Sequence, residues 1–304
     1  MAVSGDNSGN AIEKNASPFK VPAVSSSSVP PILALLAQPV SGNPTQYMIE
    51  KAFAHHDLDW RYLSFEVGAE DLGDAIRGLK ALGFYGGHFG DPHKQTVIPF
   101  LRITETAAFV GAVNLFYRRG DVLEGDNVEG KGVLQAIGRI IDPAGKRFML
   151  LGAGKLARAT ALELAAAGAG EIIVVNRNES RANELAGLLA AKCQVPVSAA
   201  PWQGEYVLHL EADVLIHTTS IRRQNDDAVL PLLFDGLRPE LLVADVSTDP
   251  PQTLLLQEAA ARGCKTVDGL SIFIEQVALA VKLWTGVDPD REVLRDAVEE
   301  YLEV

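Results

Sequence analysis

The chain has 304 residues, of which 47% are hydrophobic and 22% charged, and its formal net charge is −12. That length suits about two domains with cores of their own, and the acidic balance argues against nucleic acid or an anionic membrane surface as a partner. Cys193 and Cys264 lie far apart without CxxC spacing, as expected of a reduced, cytoplasmic protein without a structural zinc, although a disulfide between them stays open.

Residues 1–31 are rich in Ser, Asn, Gly and Pro, with Ser25 to Ser28 in a row. Too little apolar surface exists there to offset chain entropy, so a disordered tail is expected. The N-terminus lacks a signal-peptide pattern, and no stretch approaches the ~20 apolar residues of a membrane span.

After the tail, short apolar runs alternate with helical patterns. Residues 32–37 read as a buried strand, and Thr45 is expected to cap a helix reaching about His56. Strand 60–67, helix 70–82 ended by Gly83, and strand 84–89 follow. Pro92 then opens a helix in its favoured first-turn position. Residues 112–117 and 121–124 suggest a hairpin around Arg118-Arg119-Gly120, and 131–141 is helical. The alternation sharpens from Arg147. Strands are expected at 148–151, 171–175, 214–217, 241–246 and 265–267, and helices at 156–167, 179–191 and 252–261. Such alternation makes a parallel sheet with right-handed crossovers. Helices 271–284 and 291–302 lie beyond it.

Phe148 to Leu151 lead into Gly152-Ala153-Gly154-Lys155-Leu156-Ala157, a GxGxxA turn between strand and helix. The first glycine permits the tight turn, the second leaves room for a pyrophosphate, and the alanine permits close helix packing. The helix N-terminus offers free N–H groups to phosphate. A dinucleotide site is expected. At the tip of the next strand stand Asn176-Arg177-Asn178, with Arg181 one helical turn on and no acid to take a ribose hydroxyl. Two arginines suit a 2′-phosphate, favouring NADP over NAD.

These motifs resemble the shikimate and quinate dehydrogenase family, over residues 32 to about 286. Gly111-Ala112-Val113-Asn114 is similar to its GAVN segment, Asn127-Val128-Glu129-Gly130 to its NTDG, residues 176–181 to its NRTxxR clamp, and Trp284-Thr285-Gly286 to its closing WTG. The resemblance implies an α/β protein of two domains. A discontinuous α/β substrate domain would comprise 32–128 and 270–304, and a Rossmann-like parallel-sheet NADP domain 129–269. It implies a cytoplasmic NADP-dependent alcohol/ketone dehydrogenase, monomer or homodimer, that reversibly reduces 3-dehydroshikimate or a related ring hydroxy acid. The implied cofactor residues are Gly152, Ala153, Gly154, Lys155, Leu156, Asn176, Arg177, Asn178, Arg181, Thr218 and Gly269.

The family's catalytic pair is a Lys and an Asp. The segment similar to NVTxPxK runs from His88 to Lys94 and keeps the lysine, while Glu129 holds the Asp position. An ammonium can stabilise charge on a reacting oxygen, and a carboxylate can hold it in place and assist proton transfer. The substrate side departs further. Asn43 and Thr45 stand where the family has two serines, His88 and Gly90 replace its Asn and Thr, Thr248 replaces a Tyr, and Ile272 replaces a Met. Asn114 and Gln276 match. The resemblance implies substrate contacts from Asn43, Thr45, His88, Asn114, Thr248 and Gln276. Lost hydroxyl partners should change the substrate or its affinity. A different ring substrate, aminated or pterin-like, and a regulatory protein that keeps only the nucleotide site both remain open. Six histidines without ligand spacing indicate no metal site; His209 and His217 read as strand histidines, and Arg222-Arg223 as a solvated loop.

Overall fold

The computed structural model describes residues 29–204, 206–207, 212–219 and 232–304. Almost all of the expected tail, His209, Arg222 and Arg223 lie outside the described residues.

Two six-stranded sheets organise the described residues. The first contains β1 (Ile32–Ala37), β2 (Arg61–Glu66), β3 (Gly86–Phe89), β4 (Arg102–Ile103), β5 (Leu115–Arg119) and β6 (Val122–Asp126), in the order β2-β1-β3-β5-β6-β4. β2 and β3 run parallel to β1, β5 pairs antiparallel with β3, and β6 antiparallel with β5. Side chains of β1 alternate between faces. Leu33 and Leu35 face α1 (Thr45–His55), while Ala34 and Leu36 face α2 (Leu72–Ala81). Burial on both faces explains why this strand reads as an uninterrupted apolar run.

After α3 (His93–Thr96), α4 (Glu105–Val110) and α5 (Glu129–Gly138), the second sheet begins with β7 (Arg147–Leu151). It continues through α6 (Lys155–Ala166), β8 (Glu171–Asn176), α7 (Glu179–Lys192), β9 (Val197–Pro201) and, past a two-residue strand β10 (Tyr206–Val207), β11 (Val214–His217). After a second two-residue strand, β12 (Leu232–Leu233), the elements β13 (Leu242–Asp245), α8 (Leu254–Ala261) and β14 (Lys265–Val267) complete it. The order β14-β13-β11-β7-β8-β9 is wholly parallel, and β10 pairs with β12 apart from it. Strand order reverses between β7 and β11, the switch point at which such sheets bind ligands. The last helices, α9 (Gly269–Thr285) and α10 (Arg291–Leu302), return to the first sheet. There Trp284 is fully buried and its Nε1 donates to the Phe116 carbonyl at 3.1 Å.

Several local expectations are corrected. Thr45 does not cap α1: Pro44 holds the cap position, and the Asn43 side chain accepts from the Thr45 N–H at 3.0 Å. α5 begins two residues before the expected Lys131, and the hairpin strands run on to Arg119 and Asp126, around Gly120 at φ +61°. β4, α4, β9, β10 and β12 were not expected from periodicity. Four are strands of two residues or contain small residues and proline, and α4 is six residues held by a Thr104 cap and a left-handed Gly111.

Candidate active site

Lys94 lies in α3, just beyond the end of β3. Its backbone is fixed by the Val113 N–H, which donates to the Lys94 carbonyl at 2.7 Å. Asn114 joins three elements. Its carbonyl accepts from Phe89, its N–H donates to the Asp126 carbonyl, and its Oδ1 accepts from the Val128 N–H at 2.9 Å. These bonds aim the first turn of α5 at α3, and Lys94 Nζ donates to Glu129 Oε1 at 2.7 Å. The pair is half-buried, with side chains 30% and 14% exposed. It therefore stays reachable by a small molecule while being shielded enough for charge to count.

Asn127, not anticipated as a site residue, supports the carboxylate. Its Oδ1 accepts from the Glu129 N–H at 3.2 Å, and its Nδ2 lies 3.4 Å from Glu129 Oε2. Its place in the 127–130 segment was the available signal. Gln276 of α9 donates from Nε2 to the Glu129 carbonyl at 3.4 Å. Gly132 permits that approach, since a Cβ there would stand 2.3 Å from Gln276 Cγ.

His88, half-buried on β3, places Nδ1 2.8 Å from the Tyr62 hydroxyl and its ring edge-on to Trp284, with centroids 5.0 Å apart. Burial and the Lys94 charge push its pKa down to about 3, so the imidazole is neutral. Asn43 and Thr45 stand at the entrance of α1, Asn43 half-buried and Thr45 buried. Thr248, half-buried, follows β13, and Ile272 is buried among the side chains of the second sheet.

The glycine-rich turn sits at the switch point. Gly152 has φ +121°, and a Cβ there would lie 2.6 Å from Thr218 Oγ1, which donates to the Leu151 carbonyl. Gly154 precedes the first residue of α6, and a Cβ there would meet nothing within 4 Å. Open space at a helix N-terminus suits a pyrophosphate, so these residues fit a dinucleotide. Ala153 lies between the two glycines, and Leu156 is in the first turn of α6. Lys155 reaches back to the first domain, with Nζ 2.7 Å from where a Gly111 Cβ would stand. At the end of β8, Asn178 caps α7 by accepting from the Arg181 N–H, Asn176 donates to the Asn178 carbonyl, and Arg177 and Arg181 are exposed. Gly269 opens α9 against the Ser247 carbonyl, which a Cβ would meet at 2.1 Å.

His217, expected as a strand histidine, is 3% exposed at the end of β11. Its Nδ1 lies 3.1 Å from Asp245 Oδ2 and its Nε2 2.5 Å from Thr219 Oγ1. Asp245 also accepts from Thr253 Oγ1 and the Ser247 N–H. Among the described residues no group of three or more His, Cys, Asp or Glu side chains could hold a metal ion. No helix there is long and apolar enough to cross a membrane, and both cysteines are free thiols.

A parallel sheet with a phosphate turn at its switch point, joined to a second α/β domain, with a lysine–carboxylate pair where the two meet, has the architecture of two-domain nicotinamide-dependent dehydrogenases. The chain belongs to the shikimate and quinate dehydrogenase family. The family's substrate-binding domain matches residues 35–116, shikimate/quinate 5-dehydrogenase residues 136–225, and the shikimate 5'-dehydrogenase C-terminal domain residues 269–299. A shikimate dehydrogenase (NADP(+)) of Moorella thermoacetica is 38% identical over 276 residues, covering 89% of this chain and 93% of the relative. That of Methanopyrus kandleri is 36% identical over 278 residues, covering 89% and 96%. Among solved structures, a ligand-free 5-ketofructose reductase of a Gluconobacter species superposes with a TM-score of 0.86 at 38% identity, covering 90% of this chain and 99% of that one. A shikimate dehydrogenase in complex with NADP+ superposes at 0.78 with 32% identity, covering 89% and 95%.

Proposed function

We propose that the protein is an NADP-dependent alcohol/ketone dehydrogenase that interconverts 3-dehydroshikimate, or a related hydroxylated ring acid, with its alcohol. The observation that carries this reading is the 2.7 Å contact between Lys94 of the substrate domain and Glu129 at the start of α5, in a chain that also carries a turn shaped for a dinucleotide. The NADP(+) dehydrogenases among its relatives support the cofactor, as do the exposed Arg177, just past the end of β8, and Arg181, in the first turn of α7.

Bound NADPH supplies the hydride. The chain's residues do the rest. Lys94 hydrogen-bonds the carbonyl oxygen and stabilises the negative charge that grows on it. Glu129 holds the ammonium in place and assists delivery of a proton to that oxygen. Asn114 and Asn127 keep the pair aligned through the start of α5. His88, Asn43, Thr45, Thr248 and Gln276 orient the ring. The 152–156 turn, with Thr218 and Gly269, would hold the cofactor's phosphates, and Arg177 and Arg181 would hold its 2′-phosphate.

We assign residues 32–128 and 270–304 to the substrate domain and 129–269 to the NADP domain. Val128 packs with the first core and Val133 with the second, which supports the first boundary. Near the second, Leu270 and Ile274 pack with the first core and Ile272 with the second, so α9 serves both.

A keto-sugar substrate is the second reading, favoured by the likeness to 5-ketofructose reductase and by the altered substrate side, His88 and Gly90 above all. Assays of NADPH oxidation with 3-dehydroshikimate and with 5-ketofructose, beside an NADPH-binding titration, separate the two. Binding without turnover of either would leave a non-catalytic role.

A further inference from the structure

Tyr62 bonds His88, one of the proposed substrate contacts. It comes from β2, and its side chain is 0% exposed. Among the described residues, His88 Nδ1 at 2.8 Å is the one hydrogen-bond partner of its hydroxyl. Burial raises the Tyr62 pKa well above the usual phenol value, so the proton stays on. A buried hydroxyl proton needs an acceptor, and the Nδ1 lone pair is the acceptor within reach. The hydroxyl therefore donates to Nδ1.

A neutral imidazole has one donor nitrogen and one acceptor nitrogen. With Nδ1 accepting, the ring proton must sit on Nε2. His88 is neutral, because burial and Lys94 hold its pKa down to about 3. The titratable groups around it are Tyr62 from β2 and Lys94 from α3, with Glu129 of α5 bonded to Lys94. From α9 it meets the uncharged Trp284, whose edge contact fixes the ring plane. Gly86 makes room for that indole, since a Cβ there would stand 2.5 Å from Trp284 Nε1. No described residue pairs with His88 Nε2, and that nitrogen is not among the buried atoms left without a partner.

We propose that Tyr62 is a positioning residue that fixes the tautomer of His88, making Nε2–H a permanent donor to an acceptor oxygen of the substrate. This rests on the proposed reading of His88 and Lys94 as residues that meet the substrate. Two donors then face one ligand: the Lys94 ammonium takes the reacting oxygen, and His88 takes a second oxygen on the same molecule. The substrate class is a ketone or alcohol with another hydroxyl, carbonyl or carboxylate oxygen close to the reacting carbon. A ring bearing an ammonium there is rejected, because it would set donor against donor beside a cation.

The first test is ¹⁵N NMR of the histidine-labelled full chain, with His88 identified by the signals lost in His88→Asn. The expected result is an Nε2-protonated His88 that does not titrate between about pH 5 and pH 9, where an unperturbed histidine would, and a mixed tautomer in Tyr62→Phe. An Nδ1-protonated ring in the unaltered chain, or a tautomer indifferent to Tyr62→Phe, overturns the proposal. The second test is steady-state kinetics with 3-dehydroshikimate and 5-ketofructose. Because only the Nε2-protonated fraction remains competent, KM for the accepted compound should rise about two- to tenfold in Tyr62→Phe, with kcat and the NADPH KM little changed. An equal fall in kcat and in NADPH affinity would mark a merely structural residue and overturn the positioning role. If the unaltered chain reduces neither compound, the proposed function fails while the NMR result still decides the tautomer.

Discussion

Lys94 Nζ meets Glu129 Oε1 at 2.7 Å, although one residue lies in a four-residue helix and the other opens a ten-residue helix 35 positions later. The longer glutamate is accommodated because Asn127 lies within reach of its second oxygen and also binds its backbone N–H. Replacing Lys94 with Ala removes the group that stabilises the developing alkoxide. We expect turnover to fall by about 10²–10⁴-fold with NADPH affinity unchanged, as checked by steady-state kinetics beside a fluorescence titration. Intact turnover would take Lys94 out of the mechanism.

Glu129 allows a finer test. Glu129→Gln keeps the length and loses the charge that holds the ammonium, and Glu129→Asp keeps the charge and withdraws it by about one methylene. A displacement of ~1 Å can cost about a hundredfold, so both variants should lower kcat by about that factor. An Asp variant as fast as the parent would show that carboxylate reach does not limit this site.

Arg177 just past the tip of β8 and Arg181 in the first turn of α7 stand exposed, where no acid is present at the strand tip to read a ribose hydroxyl. Removing both should raise the KM for NADPH by about 10–100-fold, as expected for lost charge-assisted hydrogen bonds, and leave that for NADH little changed. Parallel loss with both cofactors would mean that the arginines do not read the phosphate.

Much of this was legible in the sequence, for identifiable reasons. β1, β11, β14 and α10 coincide with the expected spans because burial pattern and turn residues agree there. The Gly152–Leu156 turn was visible because close approach of backbone and ligand demands glycine. Short edge elements were not legible: β9, with the sequence VSAAP, carries neither alternation nor bulk. The His217–Asp245 contact was hidden for another reason. The two residues are register partners on adjacent strands, and register between strands far apart in sequence is set by tertiary pairing. Tyr62 was missed likewise, since only the fold brings β2 and β3 to either side of β1.

Gly130 sits where α5 crosses α6, and a Cβ there would stand 2.3 Å from the Ala159 carbonyl. Backbone cannot yield as a side-chain tip can. Gly130→Ala should therefore lose about 1–3 kcal/mol of stability, read as a lowered urea midpoint. An unchanged midpoint would mean that the helices separate at little cost.

Asp245 should shape the acid limb of stability. Burial alone raises its pKa, but the His217 and Ser247 hydrogen bonds outweigh burial and leave it below the usual value. A carboxyl depressed in the folded state contributes fully above its unfolded pKa of about 3.9. That contribution is lost as pH falls through the lower folded value. Urea midpoints should drop from about pH 5 downward, less steeply in Asp245→Asn. Equal slopes would show that another group governs the acid limb.

The most direct test of the central claim is the rate of NADPH oxidation by the purified chain with 3-dehydroshikimate, with NADH run in parallel. The account predicts turnover that prefers NADPH and falls by about 10²–10⁴-fold in Lys94→Ala. Failure to bind either nicotinamide cofactor, or turnover indifferent to Lys94, would contradict it.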